Sequence, residues 1–322
     1  MVQKGISIVI PTKNRLNDLR RCIESLILQL SSEDEIIVID NGSSDGTSDY
    51  LRLLSENLKN IKYIYDPTPN LSHLFNLGWR NAKNELIGFL NDDTEPSKYW
   101  VNDVKKWFRT LDDASVIGGP TQDMNKRLFL RLNGKIFDTL KKFYFNIMGC
   151  DSYINYLLTG NKEYLNTEIF REHTGASCYI DYFEPQNPIQ VGGVTITNMA
   201  VRKEILEKLN GFKTIFKFAH MDGYFFYECN INDYKIYLVP GAKVKHYVNP
   251  SGSTRSIYYL SADYAVYLKM LKPKKIKNKL RLNINKIGYF IFLIYAYKFK
   301  GIKMGLKGYR DGLRRLKNGN GE

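Results

Sequence analysis

The sequence predicts an α/β fold with a doubly wound, mainly parallel sheet. Short apolar runs bounded by turn-forming residues recur along the first 120 residues, and segments with apolar residues at helical spacing separate them. This alternation favours parallel pairing because each helix carries the chain back to the same edge of the sheet. With 322 residues, of which 43% are hydrophobic and 25% charged, the chain can bury a sizeable core.

The first strand is predicted over Ile6 to Ile10, where Pro11 ends it. A helix follows over Asn17 to Leu30, with Asn17 as its cap. The alternation then continues through the rest of this half of the chain. Further strands are predicted at Glu35–Ile39, Ile61–Tyr65, Leu86–Leu90 and Val116–Gly119, and further helices at Ser48–Leu58, Leu74–Ala82 and Ser97–Leu111.

The fourth strand ends in three polar residues, Asn91, Asp92 and Asp93. In an open α/β sheet, ligands bind beyond the carboxyl ends of the strands, so these side chains should stand at the rim of the sheet. Clustered carboxylates there suit a hard divalent cation that bridges the protein to phosphate oxygens. The alternative is a plain strand that leads into a helix-capping aspartate.

A carboxylate, Asp40, also ends the second strand, where doubly wound proteins hold a ribose or a base. Asn41 and Gly42 follow it in a turn-rich loop, and glycine lets a ligand approach the backbone closely. The chain contains neither the glycine-rich dinucleotide fingerprint nor a P-loop motif. An ordinary strand-to-helix loop is the alternative interpretation.

Three segments carry a resemblance to a known family: Ile8 to Arg15, Ile37 to Thr47 and Phe89 to Asp93, in that order. Together they resemble family 2 of the glycosyltransferases, and the resemblance extends from about Ile6 to Ser253. It implies the GT-A fold with a Rossmann-like nucleotide-binding half. It also implies a nucleotide-diphosphate sugar as donor, a divalent cation (Mn²⁺ or Mg²⁺) and inversion at the anomeric carbon of the transferred sugar.

The resemblance assigns donor-binding residues one by one. Pro11, Thr12 and Arg15 would line the nucleotide pocket, and Asp40 would hold the base or the ribose. Asn91 replaces the first aspartate of the family's D-x-D motif, and the missing charge favours weaker metal binding. The implied donor-binding set is Pro11, Thr12, Arg15, Asp40, Asn41, Gly42, Asn91, Asp92, Gly192 and Gly193.

The metal ligands implied by the resemblance are Asp93 and His246. Asp93 matches the metal-binding member of the D-x-D motif, and His246 matches a late histidine of the family. Both residues close predicted strands at one edge of the sheet, so we expect them to flank one site. An isolated histidine would otherwise be a packed or surface residue.

The catalytic base implied by the resemblance is Asp222. Some group must take the proton of the acceptor hydroxyl, and it must lie across the sugar from the metal. Asp92 is too close to Asp93 to reach that side. Asp222 occupies the family's catalytic acid position, directly after Met221, where relatives usually have glutamate. The structural alternative is that Asp222 caps a helix over Gly223 to Cys229.

Two regions are expected along the chain. Residues 1–260 would form the GT-A catalytic domain, with a nucleotide-sugar-binding half over 1–120 and an acceptor-binding half over 121–260. Residues 261–322 would form a helical basic tail, and the net charge of +14 is concentrated there. From Lys269 onward the chain has sixteen basic and two acidic residues, whereas the part before it is balanced.

The tail contains an uncharged apolar segment, Ile287 to Tyr297, which is shorter than the ~20 residues that a membrane-spanning helix needs. With basic residues on both sides, this segment suits a helix that lies in the interface of an anionic membrane. The alternative is a packed helix with a solvated basic face. No RNA-binding module is recognisable, so no nucleic acid is expected as a partner.

We therefore expect an inverting, metal-dependent glycosyltransferase whose acceptor is a hydroxyl of a glycan or of a lipid-linked glycan. The scattered cysteines and the lack of a secretory leader favour a cytoplasmic protein, peripheral at the cytoplasmic face of the membrane. Two alternatives remain. One is a polyprenyl-phosphate sugar synthase of the same fold, whose ionised acceptor needs no base. The other is a non-catalytic protein that binds a nucleotide sugar or a membrane.

Overall fold

The computed structural model describes residues 5–124, 184–247, 257–272 and 301–318. It confirms the predicted α/β fold with a large, mainly parallel sheet. The strands are β1 (Ile6–Thr12), β2 (Glu35–Asp40), β3 (Ile61–Tyr65), β4 (Leu86–Leu90), β5 (Thr94–Pro96), β6 (Ala114–Gly118), β7 (Thr121–Asp123), β8 (Ile189–Val191), β9 (Asn198–Arg202), β10 (Lys235–Leu238) and β11 (Val244–His246). The helices are α1 (Leu16–Ile27), α2 (Thr47–Asn57), α3 (Leu71–Arg80), α4 (Trp100–Thr110), α5 (Lys203–Leu209), α6 (Met221–Ile231), α7 (Ile257–Met270) and α8 (residues 301–318).

The main sheet has eight strands in the order β3-β2-β1-β4-β9-β6-β10-β8. The first four pair in parallel, as do β6 and β10. Strand β9 lies antiparallel between β4 and β6, and β8 lies antiparallel beside β10. In the β1–β2 register, Thr12 lies beside Asp40. The loops that follow β1, β2 and β4 therefore meet at one edge of the sheet.

Helices cover both faces of this sheet, which produces the doubly wound arrangement. Side chains alternate along each strand, so Ile8 and Ile10 of β1 pack with α1 and α4 on one face. Val9 packs with α3 on the other face, in a layer that continues to Phe89 of β4 and Phe225 of α6. These two buried apolar layers fix the positions of the strand ends that carry the polar residues.

Strand β1 continues through Pro11 to Thr12, two residues beyond its predicted end. A central strand hydrogen-bonds to a neighbour on each side, and proline has no N–H to donate to either of them. The pairing of β1 with β4 stops at Val9, however, so at Pro11 the strand has a neighbour only on the β2 side. A proline is therefore tolerated at that position.

Helix α1 begins at Leu16, and the predicted cap at Asn17 is wrong. The N–H of Leu16 donates instead to Asp45 Oδ2 at 3.0 Å, in the loop between β2 and α2. A side chain that is distant in sequence thus accepts one of the N–H groups that have no partner within the first turn of the helix. The same bond ties the loops after β1 and β2 together.

A second sheet of three short strands, β5-β11-β7, lies beside the end of β4. Strand β11 runs antiparallel to β5, which pairs His246 with Thr94. The N–H of the following residue, Tyr247, donates to the carbonyl oxygen of Asp93 at 2.8 Å. This sheet brings the end of β11 to the end of β4.

Helix α7 crosses the predicted domain boundary at residue 260, and α8 packs directly against it. A Cβ at Gly308 would lie 2.1 Å from the carbonyl oxygen of Tyr258, and one at Gly312 would lie 2.1 Å from that of Ala262. The two helix backbones therefore touch, which only glycine allows at these positions. Part of the basic tail is thus packed on the domain.

The apolar segment Ile287 to Tyr297 lies outside the described residues. Within the described ranges, no helix is both long enough and apolar enough to cross a membrane.

Candidate active site

Four polar side chains converge where β1 and β4 end. Arg15 Nη1 lies 2.9 Å from Asp92 Oδ1 and 3.0 Å from Asp93 Oδ2, so one guanidinium pairs with both carboxylates. Thr12 Oγ1 donates to Asp92 Oδ2 at 2.8 Å. Because β1 and β4 are parallel neighbours, the turns after them open on the same edge of the sheet. The structure thus brings together residues that the sequence predicted at separate strand ends.

Burial sets the electrostatics of this cluster. Asp92 and Asp93 are 4% and 3% exposed. Burial raises the pKa of Asp92 to about 6, although the Arg15 guanidinium and the Thr12 hydroxyl act in the opposite direction. For Arg15, burial lowers the pKa, but the two neighbouring carboxylates outweigh it and the pKa rises. The positive charge of Arg15 therefore offsets the energetic cost of burying these two carboxylates.

His246 joins the cluster from β11. Its Nε2 lies 3.2 Å from Asp93 Oδ1, and the residue is 5% exposed. The other imidazole nitrogen, Nδ1, is buried and has no hydrogen-bond partner among the described residues. Asp93 and His246 therefore lie side by side as expected, although β11 belongs to the small sheet. Their role as metal ligands stays a prediction.

Asp40 is fully buried, and its carboxylate accepts hydrogen bonds from the loop after β2, from α2 and from β3. Oδ1 accepts the N–H of Ser43 at 2.9 Å, and Oδ2 accepts the hydroxyls of Ser48 and Tyr63. The side chain shapes the loop between β2 and α2. A contact with a base or a ribose stays a prediction.

Asn41 and Gly42 belong to the same loop. Asn41 Nδ2 donates to the carbonyl oxygens of Asp66 and Thr68, at 2.9 and 2.7 Å. Gly42 has φ +73°, in the left-handed region that favours glycine. The backbone after β2 is thus held in a fixed shape, and Pro11 is buried beside it in β1.

Asn91 faces the second half of the sheet. Its Nδ2 donates to Thr197 Oγ1 at 3.3 Å, and its carbonyl oxygen accepts the hydroxyl of Thr94 at 2.7 Å. The side-chain amide of Asn91 therefore links the end of β4 to the residue before β9. The sequence did not identify Thr197 as a site residue, because only the fold brings it to Asn91.

Asp222 lies in the first turn of α6, after His220 at the N-cap position. Its carboxylate accepts the backbone N–H of Gly223 at 2.9 Å, and the backbone N–H of Ile196 lies near enough to lower its pKa. An N-cap would instead precede the helix and accept from a residue two or three positions ahead. Asp222 is therefore not the cap of α6. Burial raises the pKa of Asp222, and these N–H groups partly offset the effect.

The segment between β8 and β9 connects Asp222 with the end of β4. The backbone N–H of Ile196 faces Asp222 and lowers its pKa, and the hydroxyl of the next residue, Thr197, accepts from Asn91. Two adjacent residues thus contact the candidate base and the rim of the carboxylate cluster. The site spans both halves of the sheet.

Gly192 and Gly193 contact α6. The carbonyl oxygen of Gly192 accepts from Asn230 Nδ2 at 2.6 Å. A Cβ at Gly193 would lie 2.9 Å from Phe226 Cδ2, so close packing on α6 requires a glycine there. A contact between these glycines and the donor sugar stays a prediction.

The sequence did not point to the residues that surround Asp222 from α7. Tyr267 stacks on His220 with ring centroids 5.4 Å apart. Its hydroxyl is buried without a hydrogen-bond partner in the described part of the chain, and burial together with the charge of Asp222 raises its pKa. No local pattern could reveal this neighbour, because Tyr267 is one of several tyrosines in a helix far along the chain.

The sequence matches the family profile described as "Glycosyl transferase family 2" over residues 7–209. Chondroitin synthase of Escherichia coli is 32% identical over 158 residues, which cover 48% of this chain and 21% of that protein. The matched part of the chain thus spans about a fifth of the length of that relative.

Two solved structures share the fold. TarS residues 1–349 of S. aureus, in complex with UDP-GlcNAc, gives a TM-score of 0.58 at 14% identity and covers 97% of this chain and 82% of that chain. The mannosyltransferase PcManGT of Pyrobaculum calidifontis, in complex with GDP-Man and Mn²⁺, gives 0.55 at 14% identity, with 98% and 76% covered. The fold is therefore the GT-A fold that the resemblance implied.

Replacing Arg15 with alanine should destabilise the metal-free protein at neutral pH by about 3 kcal/mol, because two buried carboxylates lose their cation. The pKa of Asp92 is about 6 with Arg15 present, and protonated Asp92 needs no cation. The deficit should therefore shrink as the pH falls toward and below that value. Thermal unfolding of both proteins with a chelator, at a series of pH values, measures this difference in stability.

The control is Lys13→Ala, which removes an exposed cation from the same turn. A deficit in Arg15→Ala that is the same at every pH, or equal to that of Lys13→Ala, would contradict the electrostatic explanation.

Proposed function

Because this chain belongs to glycosyl transferase family 2, we propose that it transfers a sugar from a nucleotide-diphosphate sugar to a hydroxyl of a glycan or lipid-linked glycan. The transfer would invert the anomeric carbon. The observation that carries the proposal is the buried cluster at the carboxyl edge of the sheet, where open α/β folds bind their ligands. Its members are Thr12, Arg15, Asp92, Asp93 and His246.

The class of donor is supported by the bound ligands of two proteins with the same fold, UDP-GlcNAc and GDP-Man. In this chain the nucleotide would lie across the loops after β1 and β2. The positive φ of Gly42 keeps that backbone open to close approach. Arg15 offers a planar guanidinium, which suits the oxygens of a diphosphate.

A divalent cation fits the same cluster. Asp93 Oδ1 and His246 Nε2 converge to 3.2 Å, and both residues are buried. Asp93 and His246 would hold the cation: a carboxylate suits Mg²⁺ and Mn²⁺ alike, whereas an imidazole favours Mn²⁺. When bound, the cation would stabilise the negative charge that develops on the leaving diphosphate. Within the described residues no group of three or more possible ligands is assembled, so phosphate oxygens and water would complete the coordination.

Asp222 would take the proton of the acceptor hydroxyl. In an inverting displacement the acceptor oxygen attacks from the face opposite the diphosphate, so the base must stand apart from the metal ligands. In support, Asp222 lies on α6, which carries neither proposed metal ligand, and the segment of Ile196 and Thr197 links it to the end of β4. Burial raises its pKa, which makes the carboxylate a stronger base.

The exposed face of α8 supports association with an anionic membrane surface at the cytoplasmic side. Its basic residues lie opposite the buried glycines that contact α7. Met304 and Leu306 are 44% and 43% exposed beside them, and basic residues next to apolar ones suit the interface of an anionic bilayer. The exposed basic residues are Lys303, Lys307, Arg310, Arg314 and Lys317.

Asp222→Asn should reduce turnover by about 10²–10⁴-fold while the protein still folds and binds donor, because only the proton acceptor is lost. The assay is release of nucleoside diphosphate from UDP-GlcNAc or GDP-Man with water as the acceptor, using the donor that gives the larger thermal shift. In the wild type, turnover should fall on acidification at a pH above the ~3.9 of an exposed aspartate, since the base works deprotonated and burial raises its pKa.

The control is Asp49→Asn, an exposed aspartate in the first turn of α2. Near-normal turnover in Asp222→Asn would remove Asp222 from the mechanism.

Asp93→Asn and His246→Gln should each abolish most of the Mn²⁺-dependent part of nucleotide binding. In the wild type, UDP or GDP with Mn²⁺ should raise the melting temperature more than the nucleotide alone, by mass action. A chelator should remove that extra shift. The control is Asp113→Asn, an exposed aspartate that pairs with Lys235 just before β6. An unchanged Mn²⁺-dependent shift in both variants would rule out this metal site.

The triple variant Lys303→Gln, Lys307→Gln, Arg310→Gln should bind vesicles of phosphatidylglycerol and phosphatidylcholine roughly 10²-fold more weakly than wild type, since each basic residue contributes ~1 kcal/mol near an anionic surface. Salt should weaken wild-type binding because it screens exposed charges. Flotation of the full chain with vesicles measures both effects.

The matched control removes three exposed cations from the first half, in the variant Lys13→Gln, Arg52→Gln, Lys59→Gln. If the two triple variants float equally well with the vesicles, α8 is not the binding face.

A further inference from the structure

Helix α7 carries a buried carboxylate that the carboxylate cluster does not use. Asp263 is 0% exposed. Its Oδ2 accepts the N–H groups of three consecutive residues, Lys217, Phe218 and Ala219, at 3.0, 2.7 and 2.9 Å. Three such bonds to one oxygen fix the backbone of the loop between α5 and α6.

The other oxygen of Asp263 binds an arginine of α8. Arg315 Nη1 lies 2.6 Å from Asp263 Oδ1 and donates to the carbonyl oxygen of Ile215 at 2.7 Å. The guanidinium therefore neutralises a buried carboxylate and also touches the loop directly. Arg315 reaches this place because α8 is docked on α7 through Gly308 and Gly312.

The carbonyl side of the same loop is fastened to α3. The N–H of Leu71 donates to the carbonyl oxygen of Lys217 at 2.7 Å, and Ser72 Oγ donates to that of Phe216 at 2.6 Å. The loop is thus held between α3 on one side and the Asp263–Arg315 pair on the other. Loss of Arg315 would loosen only the second side.

This loop leads directly into the turn that carries the proposed base. His220 follows it with φ +61°, and α6 begins at the next residue. A non-glycine residue in this region is strained and persists only where its surroundings hold it. The ring of His220 packs on Tyr264 and Tyr267 of α7, with centroids 5.3 and 5.4 Å apart. Contacts with α7 and α8 therefore set the direction in which α6 leaves the loop, and with it the place of Asp222.

We propose that Arg315 is a positioning residue for proton transfer. Through Asp263 it holds residues 215–219 in the conformation that presents Asp222 to the acceptor hydroxyl. The proposal rests on the proposed function, in which Asp222 is the base. The cluster that would bind donor is built on β1, β4 and β11 instead, so donor binding should not depend on Arg315.

The test compares Arg315→Met with Arg109→Met in the full chain. Arg109 is an exposed arginine in the last turn of α4, away from α7 and α8. Arg315→Met should lower kcat for nucleoside diphosphate release roughly 10- to 10²-fold, because a misplaced group slows the reaction without changing its chemistry. The donor KM and Kd should stay within about 2-fold of wild type. Arg109→Met should behave like wild type, and Arg315→Lys, which keeps the charge, should recover part of kcat.

A double variant separates this proposal from the proposed function. If Arg315 acts through Asp222, Arg315→Met should cause no further loss of kcat in the Asp222→Asn background. A normal kcat in Arg315→Met overturns the proposal, as does an equal loss in both backgrounds or a loss of donor affinity in step with kcat. If Arg315→Met does not fold, Arg315→Gln replaces it with the same outcomes. Near-normal turnover in Asp222→Asn alone would instead refute the proposed base, whatever Arg315 does.

Discussion

The site depends on one electrostatic constraint: two adjacent carboxylates, Asp92 and Asp93, are buried at the end of β4. Burial alone disfavours their charge, and it raises the pKa of Asp92 to about 6. The guanidinium of Arg15 offsets this effect, because it lies within 3.0 Å of both carboxylates. The turn after β1 must therefore bend toward β4, which also brings Thr12 to Asp92. The small sheet then adds His246 at the same edge.

The α/β class and most elements of the first half followed from strand and helix periods, which are local signals, whereas the family and the GT-A fold followed from the resemblance of three motifs. The second sheet did not, since strands of three residues have no readable period. The start of α1 was missed because the partner of Leu16 is Asp45, in another loop. Pro11 misled the prediction of β1, because only the register with β4 makes a proline acceptable there.

The roles of site residues were harder to predict than their positions. Asp40 lies at the end of β2 as expected, yet its oxygens accept from Ser43, Ser48 and Tyr63. Such bonds depend on how the loop after β2 folds against α2 and β3, and no local sequence pattern predicts them. Asp93 and His246 lie close together as expected, but the small sheet that brings His246 there was not predicted: β11 pairs with β5, which begins directly after Asp93.

In the tail, too, the position of a basic residue was easier to predict than its surroundings. Arg314 and Arg315 contribute equally to the charge count, yet one points to solvent and the other pairs with the buried Asp263. The two residues lie on different sides of α8. Arg315 lies three residues after Gly312, on the side that docks on α7. The exposed basic residues occupy the opposite side. An anionic surface could therefore bind the outer face while the inner face stays docked, so membrane contact and the positioning of Asp222 need not compete for α8.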